Sequence, residues 1–232
     1  EGSFTNTERR VQHLNKALDV PGDAKNDIDI ICGIAKAMNS TGWDYADAES
    51  VFKEASSLTP QYAGINYKRI MDNGLCWPCP TTDHAGTPVL HKEKFTRGKG
   101  FFKAITFKEP AELPDSEYPI TLTTGRLLYQ FHTGTMTRKS KGLDVLGKPT
   151  VMISCDDACA MNISNGEIVT VETRRGQIDI EAEVSSKIGK GTIFIPFHFA
   201  EAPANRLTIG AVDPIAKIPE YKVCAARVKA KK

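Results

Sequence analysis

The spacing of apolar residues divides the chain into a first half with helical period and a second half with strand period. Over 8–18, Val11, Leu14 and Leu18 recur at steps of three and four, which predicts a helix with one apolar stripe that Pro21-Gly22 ends. A second helix is predicted over 27–38, where Ile30, Ile31, Ile34, Ala35 and Met38 share a face and Asn39-Ser40-Thr41-Gly42 is the stop. A third is predicted from Tyr45 or Ala46 to Leu58, capped by Asp44, with Val51, Phe52 and Ala55 inward and Pro60 closing it. Between 73 and 114 glycines and prolines recur every few residues, so a long irregular connection is expected, with the domain boundary near Asp115.

Beyond that boundary the period becomes two. Strands are expected at 118–124, 150–153, 167–173, 177–184, 192–196 and 221–228, with a short helix at 156–161 and a turn at Asn165-Gly166. The third and fourth runs flank Arg174-Arg175-Gly176 as a hairpin, with Ile178, Ile180, Ala182 and Val184 on one side and Asp179, Glu181 and Glu183 on the other. Several short strands in about 115 residues predict a closed β-barrel rather than an open sheet.

Composition narrows the function classes. The chain has 232 residues and 41% hydrophobic content, enough for a packed core. Its 30 basic and 28 acidic residues leave a formal charge of +2, which argues against a nucleic-acid surface, and Lys229, Lys231 and Lys232 read as a solvated tail. No run approaches the ~20 apolar residues of a membrane span, and no leader opens the chain, so it is expected to be soluble. Six cysteines (Cys32, Cys76, Cys79, Cys155, Cys159, Cys224) are scattered along it, which suits a reducing cytoplasm better than a disulfide framework. The opening, Glu1-Gly2-Ser3-Phe4, has no initiator Met and reads as the interior of a longer protein.

Candidate chemistry concentrates in one segment. Thr123-Thr124-Gly125-Arg126 and His132-Thr133-Gly134-Thr135-Met136-Thr137-Arg138 leave a strand carrying hydroxyls, glycines and arginines. Such a segment can offer N–H groups, O–H donors and guanidinium forks to a phosphate-bearing ligand, although an ordinary polar loop has the same composition. Gly98-Lys99-Gly100 is not a Walker loop, and no Gly-x-Gly-x-x-Gly fingerprint occurs. Cys76-Trp77-Pro78-Cys79 has the spacing of a redox couple or half a zinc site, but it lies in a proline-rich loop, where a packed Trp with incidental cysteines reads as well. Asp156-Asp157 reads as a helix cap, and His198, between Phe197 and Phe199, as a core histidine. No catalytic nucleophile with its base and no metal-ligand spacing stands out.

The loop 124–138 resembles the dinucleotide-binding domain of the molybdopterin oxidoreductases, most of all that of formate dehydrogenase. The likeness extends through Glu1-Gly2-Ser3-Phe4-Thr5-Asn6-Thr7-Glu8-Arg9-Arg10-Val11-Gln12, Trp77-Pro78-Cys79-Pro80, Arg97-Gly98-Lys99-Gly100-Phe101 and Pro196-Phe197-His198-Phe199. It continues in Ala204-Asn205-Arg206-Leu207-Thr208, Asp213-Pro214 and the run from Pro219 to Val228. What the resemblance implies is an α+β chain. Residues 1–115 would be a helical segment and linker from the preceding domain, and 116–232 a double-psi β-barrel.

The same resemblance implies bis-molybdopterin guanine dinucleotide with molybdenum or tungsten, oxidation of formate to carbon dioxide, and electrons passed to a [4Fe–4S] cluster. The cofactor-binding residues it implies are Thr124, Gly125, Arg126, Leu127, Leu128, His132, Thr133 and Thr135, with His198, Asn205, Tyr221 and Lys222 converging from the other side. No catalytic residue or metal ligand is expected here: the cluster cysteines and the metal ligand would lie upstream, leaving this chain inactive alone. The implied partners are that N-terminal remainder and an electron-transfer β subunit. Two alternatives stay open: another family member such as a nitrate reductase, and a non-catalytic barrel that serves as an interaction module.

Overall fold

A computed structural model describes residues 1–145 and 147–231. The chain divides into two units, Glu1–Ala104 and Ile105–Lys232. In the first, β1 (Gly2–Thr5) and β2 (Arg10–Leu14) form an antiparallel hairpin with Gly2 opposite Leu14 and Thr5 opposite Val11. This corrects the helix expected over 8–18. The turn that decides it is local: Asn6 N–H donates to Arg10 O at 3.0 Å, Arg10 N–H donates to the Asn6 side chain at 3.0 Å, and Arg9 takes φ +67°. An Asn side chain that closes onto backbone in this way competes with helix formation. Of the supposed stripe, Val11 is buried while Leu14 and Leu18 are exposed, so the helical spacing was coincidental.

The helices α1 (Asp27–Ala37) and α2 (Ala48–Leu58) form where the periodicity predicts them, followed by a single turn, α3 (Tyr67–Ile70). Asp47, not Asp44, caps α2: its carboxylate accepts Ser50 N–H at 2.7 Å and Ser50 Oγ accepts the Asp47 N–H, which satisfies two otherwise orphaned donors. Phe52 of α2 packs on a cluster of Val11, Ile65, Tyr67, Ile70 and Cys79, but Ala55 is exposed. The apolar face of α1 is not covered: Ile31, Ile34 and Met38 are 55%, 58% and 75% exposed, and no residue of that helix is buried.

The irregular segment is held by two arginines rather than by a sheet, apart from β3 (Leu75–Cys76), which pairs with β2. Arg9 donates to the carbonyls of Trp77, Thr87 and Pro88, and Arg69 to those of Gly64 and His84. A guanidinium has five donors in a fixed fork, so one side chain can satisfy several loop carbonyls that no strand reaches. Cys79 Sγ sits in the same network, 3.3 Å from Arg69 Nη1.

The second unit is a closed barrel of β4 (Ile120–Gly125), β5 (Thr150–Ser154), β6 (Ile168–Thr173), β7 (Gly176–Ser185), β8 (Thr192–Pro196) and β9 (Cys224–Ala230). The order around it is β4-β8-β5-β7-β6-β9. Two parallel pairs, β4/β8 and β5/β7, and four antiparallel ones close it, the double-psi β-barrel of an α+β chain. Alternate residues point inward: Leu122, Val151, Ile153, Val169, Val171, Ile193 and Ile195 are all fully buried in one core. A fully buried aliphatic side chain of this kind contributes about 1.5–3 kcal/mol.

Two short helices lie in the connections, α4 (Lys141–Asp144) and α5 (Cys155–Met161). Ser154 caps α5, accepting Asp157 N–H at 3.1 Å. Asp156 and Asp157 lie inside its first turn, so the acidic pair is not itself the cap. The last strand begins at Cys224 rather than at 221, leaving Tyr221 and Lys222 in the loop that precedes it. Among the described residues no helix is long and apolar enough to cross a membrane.

Candidate functional site

Strand direction settles which loops share an end of the barrel. β4 and β8 run parallel, so both deliver their C-terminal residues to one end, with Gly125 beside Pro196. β9 runs antiparallel to β4, with Leu122 opposite Cys224, so the chain enters β9 from that same end. The long loops 126–149 and 197–223 therefore leave and return at one end, and every proposed site residue lies on them or on the last residues of β4.

Eight of the twelve are joined by direct contacts. Thr124, buried within β4, donates its hydroxyl to Tyr221 O at 3.1 Å, and its own carbonyl accepts from Lys222 Nζ at 2.6 Å. Gly125 is crowded: a Cβ there would meet the Phe194 ring at 2.6 Å. Its carbonyl accepts Phe197 N–H at 3.2 Å. Leu127 N–H donates to His198 Nε2 at 2.8 Å, and His198 Nδ1 bonds the carbonyl of His132. Arg126 and Lys222 converge on the Phe197 ring, at 5.9 and 6.0 Å from its centroid, and Lys222 also lies 5.5 Å from that of Tyr221.

The other four are placed differently. Leu128, Thr133 and Thr135 are exposed on the 126–149 loop. Asn205 is exposed in a 3-10 turn, Ala204–Arg206, and its carbonyl accepts the Thr208 hydroxyl at 3.2 Å. Among the described residues no hydrogen bond joins their side chains to the Arg126–Lys222 group.

Several cations of the barrel are neutralised by acids: Arg227 and Lys229 share Glu172, Arg175 holds Glu112, Lys231 meets Asp179 and Arg138 forks onto Glu201 at 3.0 and 2.5 Å. The Arg227 and Lys229 bonds hold the Glu172 carboxyl down at about 2. Burial pushes Glu112 upward, but its bonds from Arg175 and from Ala225 N–H outweigh that and keep it below its usual range. Arg126 has no such partner among the described residues, and Lys222 bonds a carbonyl rather than a carboxylate.

Two unneutralised cations over one aromatic ring form a site that an anion would stabilise. The unused N–H groups of Arg126 and Lys222, with the ring faces of Phe197 and Tyr221, match the parts of a nucleotide: phosphate oxygens and a planar base. Two residues of this site were not picked out from the sequence: Phe197, which supplies the shared ring, and Glu201, which takes the guanidinium fork of Arg138, an arginine expected to face a phosphate, and ties the two loops together. Only the first had a local signal, an aromatic just past the end of a strand.

The second unit is thus a double-psi barrel whose loop end can receive an anion. Residues 120–225 match the family described as the Molydopterin dinucleotide binding domain, and residues 1–37 match Molybdopterin oxidoreductase. The chain belongs to the molybdopterin oxidoreductases.

Within that family it is 48% identical, over 99% of its length, to the F420-dependent formate dehydrogenase 1 subunit alpha of Methanococcus maripaludis, of which it covers 35%. It is 37% identical, over 98% of its length, to the assimilatory nitrate reductase catalytic subunit of Bacillus subtilis, covering 34% of that protein. The solved acetylene hydratase from Pelobacter acetylenicus has the same fold, with a TM-score of 0.60 at 15% identity, covering 96% of this chain and 35% of that one. The chain thus spans about a third of the length of the relatives it matches.

Proposed function

We propose that this chain is the dinucleotide-holding part of a formate dehydrogenase catalytic subunit, with residues 116–232 as the binding domain and 1–115 belonging to the domain before it. The observation that carries the reading is the pair of unneutralised cations, Arg126 and Lys222, over Phe197 at the loop end of the barrel. They fit the phosphates of bis-molybdopterin guanine dinucleotide. On this reading Thr124, Gly125, Leu127 and His132 line one side of that loop end and His198 and Tyr221 the other, while the exposed Leu128, Thr133, Thr135 and Asn205 reach the ligand from the same loops. When bound, the cofactor would supply a molybdenum or tungsten centre for the two-electron oxidation of formate to carbon dioxide and a proton.

The work of this chain is to bind and orient. Charged donors neutralise the phosphates, the Gly125 backbone lies flat against Phe194, and the loops limit water around the ligand. Among the described residues no cluster of three His, Cys, Asp or Glu could hold a metal ion. The metal ligand and the [4Fe–4S] cysteines belong, on this reading, to the rest of the subunit. Electrons would leave through a partner β subunit in the cytoplasm. The likeness to an F420-dependent formate dehydrogenase favours F420 as the acceptor.

The test is denaturation of the purified full-length enzyme: it should release guanine nucleotide together with molybdenum or tungsten, and reduce an acceptor with formate. The 37% identity to an assimilatory nitrate reductase supports a second reading. Turnover with nitrate and none with formate would select it, and absence of nucleotide and metal would leave only a non-catalytic interaction module.

A further inference from the structure

His198 lies just beyond β8 and is 2% exposed, with ring contacts to Phe197 at 4.8 Å and Phe199 at 6.0 Å. Both of its ring nitrogens are committed to the backbone of the loop that follows β4. Nε2 faces the Leu127 N–H at 2.8 Å and so must carry a lone pair. The proton therefore sits on Nδ1, which donates it to the His132 carbonyl. These two anchors bracket residues 127–132, and His132 is held in the left-handed region at φ +48°.

We infer that His198 is a positioning residue: it holds the loop from Arg126 to His132 in one conformation before the dinucleotide binds, and it makes no bond to the ligand itself. This rests on the reading that Arg126 and its neighbours receive the dinucleotide. A loop of this kind left free would have to be ordered at the moment of binding, and pre-ordering removes that cost from the binding step. Imidazole suits the task because a rigid ring carries a donor and an acceptor on different edges. The Arg138–Glu201 fork joins the same two loops from the exposed side, so loss of His198 leaves them attached.

The test uses the full-length subunit in its native assembly, as wild type and as His198→Phe, His198→Gln and His198→Asn. Three quantities are read: amide hydrogen exchange over 126–133, guanine nucleotide retained after gel filtration, and the melting temperature. In His198→Phe, exchange over 126–133 should quicken by about tenfold or more, while the buried strand 192–196 keeps its protection. Nucleotide retention should fall with it. His198→Gln, whose side-chain oxygen can still take the Leu127 N–H, should recover much of both.

Unchanged exchange in His198→Phe would overturn the inference. So would nucleotide loss with the loop still protected, which would make His198 a direct ligand. Should the Phe variant fail to fold, His198→Asn, whose shorter side chain falls short of the Leu127 N–H, takes its place, and unchanged loop exchange in it would be equally fatal. A wild-type subunit without guanine nucleotide sinks the functional reading, whereas wild-type retention matched by His198→Phe sinks this inference alone.

Discussion

Replacing Arg126 with Met separates the charge of the site from its shape. The Met stem can still lie over Phe197, while the guanidinium, 5.9 Å from that ring, is lost. In the cofactor-free subunit little should change, because among the described residues Arg126 makes no hydrogen bond or ion pair whose partner would be stranded. The lost cation–π attraction is about 0.5–1 kcal/mol at such an exposed position. Relief of repulsion from Lys222, which is 6.0 Å from the same ring, offsets part of that loss.

The two effects oppose each other, so folding stability should move by less than ~1 kcal/mol. The loaded subunit behaves differently, since a hydrogen bond to a charged group contributes about 1.5–3 kcal/mol, or roughly 10–150-fold in affinity. Bound guanine nucleotide measured against dilution, beside denaturant melts of the cofactor-free protein, gives both numbers. Nucleotide affinity within about twofold of wild type would refute the assignment. A cofactor-free subunit destabilised by more than ~1.5 kcal/mol would show instead that Arg126 serves the fold.

Asp157→Ala should cost about 2–4 kcal/mol in urea unfolding, because the carboxylate accepts both the Ser154 hydroxyl at 2.6 Å and the Gly191 N–H at 2.7 Å, and the latter would be left unpaired; a loss under ~1 kcal/mol would refute this. Glu172 is held at about 2 against an ordinary 4.5, so its ion pairs stabilise the fold fully above pH 4.5 and less as pH falls through about 2. Glu172→Gln should therefore flatten the pH dependence of the unfolding midpoint across that window, by a modest amount because the pair is solvent-screened, and an unaltered slope would contradict it. The 232-residue chain expressed alone should bind a hydrophobic dye and self-associate through Ile31, Ile34 and Met38 of α1, whereas a monomeric, dye-silent chain with a cooperative reversible melt would show that face to be harmless.

Much of the barrel could be read from local pattern. The alternation through Ile178, Ile180 and Ala182 puts those residues in the core, and the Arg174-Arg175 turn joins β6 and β7 as the period-two runs require. The loop after β4 could be marked as anion-receptive from its residue types. The N-terminal hairpin could not be read, because Val11, Leu14 and Leu18 fit a helical stripe equally well. The Asn6 turn decided between them. His198 illustrates the same limit within the site: its aromatic neighbours suggest a buried ring, but nothing near it in sequence says that its nitrogens bond Leu127 and His132.

By itself the sequence determined element type wherever one face of a strand or helix had to be apolar, since that is a rule of period within a few residues. It also determined the family, through the order of its motifs. Tertiary structure alone decided that β4 pairs with β8, that the loops of both strands open at one end, and that Arg126 and Lys222 meet over Phe197 without an acid between them. Those outcomes depend on which distant backbone satisfies each strand edge and on which charges end up neighbours. Both are set by closure of the whole barrel, and no window of the sequence contains them.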